Sequence, residues 1–360
     1  MTRTAIIFGG KSCEHDVSIV TGVQMLCGAV EHDLLPIYID REGVWRTGGD
    51  MKSLETYRRP ERMKRVHMRP GGRALYGEHG RRLAELDAAV LCCHGAGGED
   101  GCLQGFLELC GLPYTGADVL TSALCMDKSA LKRYLAGEAE MLPCVTFTRE
   151  EFERDVYAVA EKLDRIGYPF IVKPARLGSS IGVSAARNGA ELVEAVRVAG
   201  AFDCKIVVEK LLEGFRELNC AALGDGKDVR VSEAEEPLGW KEFLKYEDKY
   251  SGGKSGMTRR LPADIDEGVR REIRSTTARV FALLGLNGVA RMDYMLTADG
   301  KLYLNEINTL PGSLAAYFFR REGMTDSELV TRLLELAKAR AAREASRSYT
   351  YRSGAVCPKG

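Results

Sequence analysis

The chain has 360 residues, more than one hydrophobic core usually organises, so two or three packed lobes are expected. It carries 51 basic and 51 acidic side chains and 45% hydrophobic residues, the profile of a soluble globular protein. A formal net charge of zero gives no long-range attraction to a polyanion, which argues against a nucleic-acid partner. No stretch approaches the roughly 20 apolar residues of a membrane span, which argues against a membrane partner.

The eleven cysteines are scattered and include no Cys-x-x-Cys pair. We expect reduced thiols, because the adjacent Cys92 and Cys93 are a poor basis for a disulfide framework. The sequence enters an apolar run at Thr4 without a charged leader and an apolar signal segment. These features predict a cytoplasmic location.

The first third of the chain alternates strand-like and helical segments. Strands are predicted at 5–8, 35–39 and 88–93, and helices from about Val17 and across 101–110. This alternation is typical of a parallel sheet with helices on its faces. Residues 41–86 contain more Arg and Gly, and they predict an inserted short hairpin.

Further strands and helices follow in the rest of the chain. They are predicted as a helix at 126–136, strands at 168–173 and 181–184 around a glycine-containing turn, a helix at 190–198, a strand at 205–209, paired strands at 290–296 and 301–307, and a helix at 326–343. Residues 241–260 predict a mobile loop, because 251–256 are mostly Gly and Ser. Residues 346–360 predict a loosely attached tail.

Two Gly-Lys-Ser segments, at 10–12 and 253–255, are not phosphate-binding P-loops. That motif needs a glycine five residues before its Gly-Lys pair, where this chain has Ala5 and Asp248. The dinucleotide-binding fingerprint fails as well, because the third glycine is missing after Gly9-Gly10.

Lys173 and the turn after it favour a nucleotide site of another kind. Lys173 ends an apolar strand, where an ammonium group is costly unless it meets an anion. The small residues Gly178, Ser179 and Ser180 follow, and such a turn lets amides and hydroxyls approach phosphate oxygens. From this segment alone, a plain hairpin with a snorkelling lysine is an equally good interpretation.

The predicted hairpin at 290–308 carries a stronger chemical signal. If Leu296 pairs with Lys301, then Asp293 lies opposite Leu304. The residues that share one face are Arg291, Asp293, Glu306 and Asn308. Two carboxylates and an amide oxygen make a site suited to Mg²⁺ carrying nucleotide phosphates, and the arginine can neutralise an oxyanion. The alternative is a solvated face with salt bridges.

Two polar segments follow strands of the N-terminal part. The segment from His94 to Gly101 lies between a strand and a helix, where open α/β sheets place ligand-binding residues. Glu14 follows the first strand in the same way. A lone histidine is more often structural, however, and Glu14 can simply cap a helix.

Eight short sequence motifs occur in a fixed order along the chain. They are 9–18, 94–101, 103–105 with 111–116, 126–128, 172–180, 246–250, 291–293 and 305–312. Together they resemble the D-alanine:D-alanine ligase family of the ATP-grasp superfamily, from about residue 4 to residue 336. The resemblance implies an α/β, three-lobed ATP-grasp fold. Its parts would be an N-terminal parallel βα substrate-binding domain at 1–120, a central lobe at 121–211, a C-terminal lobe at 212–345 with the metal site and the loop 241–260, and a tail at 346–360.

The resemblance also implies roles for individual residues. ATP would be bound by Lys128, Lys173, Ser179, Ser180, Glu209, Lys210, Leu212, Glu217 and Lys249. Two Mg²⁺ ions, replaceable by Mn²⁺, would be held by Asp293, Glu306 and Asn308. The first D-alanine would meet Glu14, His94 and Arg291, and the second would meet Ser313 and Leu314. The catalytic set would be Glu14, Ser179, Tyr250, Arg291 and Gly312.

The implied reaction joins two D-alanines with ATP for peptidoglycan precursor synthesis, in a homodimer. The first carboxylate attacks the γ-phosphate to give an acyl phosphate, which the second amine then attacks. Arg291 and the amide of Gly312 would stabilise the resulting oxyanion. D-alanine and ATP are thus the implied small-molecule partners.

The sequence departs from the family after Gly312. The family usually continues through Thr-Ser to a Ser-Leu pair that binds the second carboxylate, whereas here Ser313 and Leu314 follow at once. Either this pair acts through a shortened loop or the second pocket differs, so a D-alanyl-D-X ligase with an acceptor such as D-serine is an alternative. A non-catalytic nucleotide-binding regulator is a further alternative, which the retained metal ligands and lysines disfavour.

Overall fold

Three β-sheets follow one another along the chain. The computed structural model describes residues 2–238 and 258–350. In the N-terminal part the elements are β1 (Thr2–Gly9), α1 (His15–Gly28), β2 (Leu34–Ile39), β3 (Trp45–Thr47), β4 (Lys64–His67), β5 (Ala74–Gly77), β6 (Arg82–Leu91) and α2 (Cys102–Leu109). Strand β1 lies between β2 and β6 and is parallel to both, as the βα alternation predicts.

The segment 41–86 is more than the short hairpin that its sequence predicts. It contains β3, β4, β5, the start of β6 and two 3₁₀ turns, and its antiparallel strands close the sheet into a barrel. The N-terminal sheet is therefore parallel only at β1, β2 and β6. Short strands with few apolar residues give little periodic signal, which explains the miss.

The central sheet is antiparallel in the order β7-β10-β8-β9. Its elements, with the two preceding helices, are α3 (Val119–Met126), α4 (Lys128–Tyr134), β7 (Cys144–Thr148), α5 (Arg149–Arg154), α6 (Val156–Asp164), β8 (Phe170–Pro174), β9 (Ser184–Ala186), α7 (Gly189–Gly200) and β10 (Lys205–Lys210). The helix predicted at 126–136 is present as α4 but begins later, because Asp127 is extended and its carboxylate caps α4 at the amides of Ser129 and Ala130. The strand predicted at 181–184 begins only at Ser184.

The third sheet has the order β12-β11-β15-β16, beside a two-stranded ribbon of β13 and β14. Its elements are β11 (Arg216–Gly224), β12 (Val229–Val231), β13 (Glu236–Leu238), β14 (Thr258–Arg260), α8 (Glu267–Leu283), β15 (Gly288–Leu296), β16 (Leu302–Asn308), α9 (Ala316–Arg320) and α10 (Asp326–Ala345). Of the loop predicted at 241–260, residues 258–260 are strand β14 and 241–257 lie outside the described residues. So does the end of the predicted tail, 351–360.

The two faces of the third sheet have different surroundings. Leu218, Met292 and Tyr294 point into a core shared with α8. On the other face, Ala221 and Val289 join the core of the N-terminal part, to which α10 also contributes. The remaining end of that face carries polar side chains, so the packing leaves one polar strip between the sheets. Among the described residues, no helix is long and apolar enough to cross a membrane.

Candidate active site

The polar strip begins with the pairing of β15 and β16. The predicted register is wrong, because Asp293 lies opposite Glu306 rather than Leu304, and Leu296 pairs with Leu302. A β-bulge between these pairs adds one residue to β16, so Asn305 and Glu306 both avoid the core. The bulge restores the predicted outcome, in which Arg291, Asp293, Glu306 and Asn308 share a face.

Arg291 and Asp293 form a two-pronged ion pair on this face. Nε of Arg291 donates to Oδ1 of Asp293 at 2.6 Å, and Nη2 donates to Oδ2 at 2.7 Å. Nδ2 of Asn308 also donates to Oδ2, at 3.0 Å. Burial, together with the neighbouring carboxylate of Glu306, nevertheless raises the pKa of Asp293. The site thus places the buried carboxylate of Asp293 beside the partly exposed carboxylate of Glu306, and a cation would relieve their mutual repulsion.

A buried Lys-Glu-Lys triad links the two inner strands of the central sheet, β10 and β8, to α4. Glu209, 1% exposed, accepts from Nζ of Lys132 and from Nζ of Lys173, each at 2.8 Å. Burial raises the pKa of Glu209, but the two ammonium groups outweigh it and lower the pKa to about 2. Lys173 also reaches Oδ1 of Asn305 at 3.4 Å, which joins the two sheets. The sequence did not single out Lys132, although its one-turn spacing from Lys128 on a helix was visible.

Lys128, the first residue of α4, lies beside the predicted metal ligand Glu306. Nζ of Lys128 donates to the carbonyl of Leu177 at 2.7 Å and lies 3.4 Å from Oε2 of Glu306. Lys210, which the resemblance assigns to ATP binding, donates to the carbonyls of Gly167 and Tyr168. Leu212 and Glu217 are half-buried. These roles in ATP binding stay predictions.

The turn after β8 packs directly on Glu14. Ser179 and Ser180 adopt positive φ values of 54° and 56°, which strain non-glycine residues and often mark functional turns. The hydroxyl of Ser179 donates to Oε1 of Glu14. A Cβ on Gly178 would lie only 2.9 Å from the same oxygen, so this close approach requires glycine. The turn therefore places Ser179, predicted to bind nucleotide, next to Glu14, predicted to bind the first substrate.

His94 and Glu99 are buried beside Glu14. Burial lowers the pKa of His94 to about 4, so its ring is neutral at physiological pH. The ring hydrogen-bonds Oγ1 of Thr21 at 2.8 Å. Glu99 accepts from the amides of Gly95 and Leu310, yet burial and the charge of Glu14 raise its pKa to about 8. The sequence did not assign Glu99, which only its place in the segment 94–101 could have suggested.

The raised pKa of Glu99 predicts that the free energy of unfolding falls as pH rises. Its folded pKa of about 8 exceeds the ordinary value of 4.5, so the folded chain holds a proton that the unfolded chain releases between these values. The contribution of Glu99 is therefore complete below about pH 4.5 and is lost by about pH 8. Between about pH 4.5 and about pH 8, the melting temperature of the ligand-free wild type should fall more than that of Glu99→Gln, as measured by calorimetry. Parallel curves would contradict the assignment.

The segment after Gly312 forms a left-handed turn of three residues. Ser313, Leu314 and Ala315 have φ values of 53°, 48° and 51°. The amide of Ser313 donates to Oγ1 of Thr21 at 3.1 Å, and its hydroxyl donates to Gln24. Leu314 is buried in the N-terminal core, whereas a Cβ on Gly312 would meet only open space. The turn is thus fastened to α1, and the space beside Gly312 is open.

One cleft brings several of the predicted site residues together. It is lined by Glu14, Glu99, Lys128, Gly178, Glu306 and Asn308. Ser179, Arg291 and Asp293 adjoin these residues through the contacts above, whereas Lys173 contacts Glu209 and Asn305. Lys249 and Tyr250 lie outside the described residues, so their predicted roles stay predictions.

Comparison with known proteins agrees with this geometry. Residues 3–117 match the family described as "D-ala D-ala ligase N-terminus", and residues 137–335 match "D-ala D-ala ligase C-terminus". The chain is 36% identical to the D-alanine–D-alanine ligase of Thermosipho melanesiensis, over 94% of both chains. It is 36% identical to D-alanine–D-alanine ligase A of Salmonella typhimurium, over 94% of this chain and 96% of that one.

Solved structures show the same fold. The D-alanine-D-alanine ligase of Coxiella burnetii superposes with a TM-score of 0.80 at 28% identity, covering 96% of each chain. The VanG D-Ala:D-Ser ligase of Enterococcus faecalis gives 0.79 at 28% identity, covering 93% of this chain and 99% of that one. By the matched sequence, the sheets and the cleft between them, the chain belongs to the D-alanine–D-alanine ligase family of ATP-dependent ligases, in the ATP-grasp superfamily.

Proposed function

We propose that the cleft joins two D-alanines to D-alanyl-D-alanine through an acyl phosphate, as a step of peptidoglycan precursor synthesis. The observation that carries the proposal is the meeting of Lys128 and Glu306, 3.4 Å apart, with Glu14 and the Ser179 turn in one cleft. Phosphate-binding and amine-binding groups thus face the same space. Acyl transfer from a phosphorylated carboxylate to an amine needs both.

The acidic residues of the polar strip fit Mg²⁺, or Mn²⁺ in its place. Asp293, Glu306 and Asn308 supply two carboxylates and an amide oxygen, the oxygen ligands that Mg²⁺ prefers, and the charge of Glu306 adds to burial in raising the pKa of Asp293. No three acidic, His or Cys side chains converge on a metal position within 2–238 and 258–350, so phosphate and water would complete the coordination of two ions. Such ions would neutralise charge on the phosphates.

The chain's own residues then have separable tasks. Lys128 and Lys173 would exchange their protein acceptors for phosphate oxygens, which holds negative charge in the cleft. Glu14, already fixed by Ser179, would receive the ammonium group of the first D-alanine. Arg291 and the Gly312 amide would face the oxyanion formed when the second amine attacks. His94, neutral and held by Thr21, would orient the turn that carries Gly312.

Identifying the product is the direct test of the proposed function. The protein is incubated with ATP, Mg²⁺, D-alanine and a mixture of D-amino and D-hydroxy acids, and the products are read by mass spectrometry. D-alanyl-D-alanine with matching ADP release is the expected result. A mixed product such as D-alanyl-D-serine would show that the second substrate is not D-alanine. ADP release without D-alanine would contradict the ligase mechanism.

Ser313 predicts a selective effect on the second substrate. Ser313→Ala should remove a charge-assisted hydrogen bond to the acceptor carboxylate, worth about 1.5 to 3 kcal/mol. The acceptor KM should rise roughly ten- to a hundred-fold, whereas the KM for ATP should barely change. Initial rates with each substrate varied separately measure this. Because the Ser313 hydroxyl now donates to Gln24, Gln24→Ala is the control for loss of that contact alone.

The cellular setting and organisation are also proposed. We propose a cytoplasmic location, a homodimer, and lobes at 1–120, 121–211 and 212–345 with a tail from 346. Light scattering after size exclusion would give a mass near twice 39.6 kDa for the dimer. A single-chain mass at micromolar concentration would contradict it.

A further inference from the structure

The Arg291–Asp293 ion pair competes with the proposed metal site. Both oxygens of Asp293 accept from Arg291, and one of them also accepts from Asn308. A cation at Asp293 needs at least one of these oxygens, and Arg291 needs free N–H groups to meet a substrate oxyanion. A cation at Asp293 therefore competes with the guanidinium group for the same carboxylate oxygens.

Two further polar side chains continue the same row across the sheet. Asn219 lies directly opposite Asp293 on β11, and it forms an isolated β-bridge with Glu235. Residues directly opposite one another point to the same face, with Cβ atoms roughly 5 Å apart. Glu235, Asn219, Asp293 and Glu306 thus stand in one row, with Glu306 at the end beside Lys128.

These two side chains hold unused acceptors. In the described part of the chain, Oδ1 of Asn219 and Oε2 of Glu235 are buried without a hydrogen-bond partner. The two residues are only 4% and 2% exposed. Buried acceptors are almost always satisfied in native proteins, so a pair of open ones calls for a donor that arrives in another state.

Glu235 is held from its other side and faces Arg291. Its carboxyl group shares a hydrogen bond with Tyr317 and lies 3.8 Å from Nη1 of Arg259, whose guanidinium stacks 4.1 Å from the centre of the Tyr317 ring. Arg291 interacts electrostatically with both Glu235 and Tyr317. Asp293 is the other charged group that faces Glu235. Arg291 is thus the nearby donor that becomes available when Asp293 binds a cation.

We propose that Asn219 and Glu235 form a second position for the Arg291 guanidinium, which Arg291 occupies when a cation takes Asp293. The two residues are positioning residues, because they act through Arg291 and not on the substrate. The inference rests on the proposed function, since it requires the cation at Asp293. It makes cation binding at Asp293 and the movement of Arg291 to Asn219 and Glu235 one coupled event, so each should strengthen the other.

The test compares Glu235→Gln and Asn219→Leu with a matched control, Glu233→Gln. Glu233 lies two residues before Glu235, but its carboxylate pairs with Arg270 and Arg274 on α8. The readout is the rise in melting temperature caused by Mg²⁺ plus a non-hydrolysable ATP analogue, beyond the rise caused by the analogue alone. Asn219→Leu changes no charge, so it separates lost guanidinium contacts from a weaker electrostatic attraction to Mg²⁺.

The expected result is a selective loss of metal response. Wild type and Glu233→Gln should need the same Mg²⁺ concentration for half the effect, whereas both test variants should need about tenfold more, equivalent to 1.4 kcal/mol. The melting temperature measured with the analogue alone should change little among variants that fold. Should Glu235→Gln not fold, Tyr317→Phe replaces it, because this change removes the hydroxyl that holds Glu235. Tyr317→Phe should also raise the Mg²⁺ concentration needed for half the effect.

Failure of this inference differs from failure of the proposed function. If wild type makes the dipeptide and Glu306→Gln does not, but both test variants respond to Mg²⁺ like Glu233→Gln, the second position of Arg291 is overturned alone. A wild-type protein that forms no dipeptide, or whose melting temperature with the analogue ignores Mg²⁺, overturns the metal site and with it the inference.

Discussion

Glu306→Gln is expected to reduce kcat about 100-fold or more while the fold persists. The change removes one of two carboxylates proposed to bind the cations, and an amide is a much weaker ligand. Two opposing effects keep the stability nearly constant: Lys128 loses its partner at 3.4 Å, but the charge that helps to raise the pKa of Asp293 disappears. ADP release with D-alanine and thermal unfolding measure both quantities.

Asp299→Asn is the matched control for this variant. Asp299 lies at the turn of the same β15–β16 hairpin, but its side chain is exposed and bonds only locally to Thr297 and Lys301. Turnover should stay near that of wild type. Full activity in a folded Glu306→Gln protein would contradict the metal assignment, whatever the control does.

The second large effect is expected from Lys132→Met. Removing one lysine from the buried triad leaves Glu209 with Lys173 alone, which should lower the free energy of unfolding by about 3 kcal/mol at neutral pH. Chemical denaturation measures the loss. Lys162→Met, an exposed position on α6, is the control and should change stability by less than about 0.5 kcal/mol.

The same variant has a defined pH dependence. The pKa of Glu209 is lowered to about 2 from 4.5, so its stabilising contribution is present above about pH 4.5 and disappears as pH falls toward 2. With one ammonium group gone, the folded pKa moves back toward 4.5. The stability difference between wild type and Lys132→Met should therefore shrink below about pH 4.5. A constant difference at all pH values would show that lost packing, not charge, causes the effect.

The family, the fold class and the ligase reaction could be predicted from short motifs, because those motifs combine chemistry with fixed order. The polar face of β15 and β16 was predicted from strand alternation, and it is confirmed, although the register was wrong. Alternation along a strand is a property of the sequence, whereas the bulge at Asn305 depends on which neighbours the strand packs against.

Two missed features, the ion pair of Lys132 and the raised pKa of Glu99, arise from contacts distant in sequence. Lys132 and Glu209 are 77 positions apart, and nothing near either residue announces their ion pair. Glu99 owes its raised pKa to burial and to Glu14, 85 positions earlier. The break at Asp127 is a local feature that could have been read, since aspartate before a helical run is a common N-cap.

The position of α10 has a consequence for how this chain is made. Leu329, Val330 and Leu333 of this last helix are buried in the core of the N-terminal sheet, which is synthesised first. A ribosome releasing the chain in order exposes the apolar side of that sheet until the final helix emerges, which makes the interval a period of risk for aggregation. A fragment ending at residue 120 should therefore be insoluble by itself, and co-expressing 326–345 as a separate peptide should rescue it.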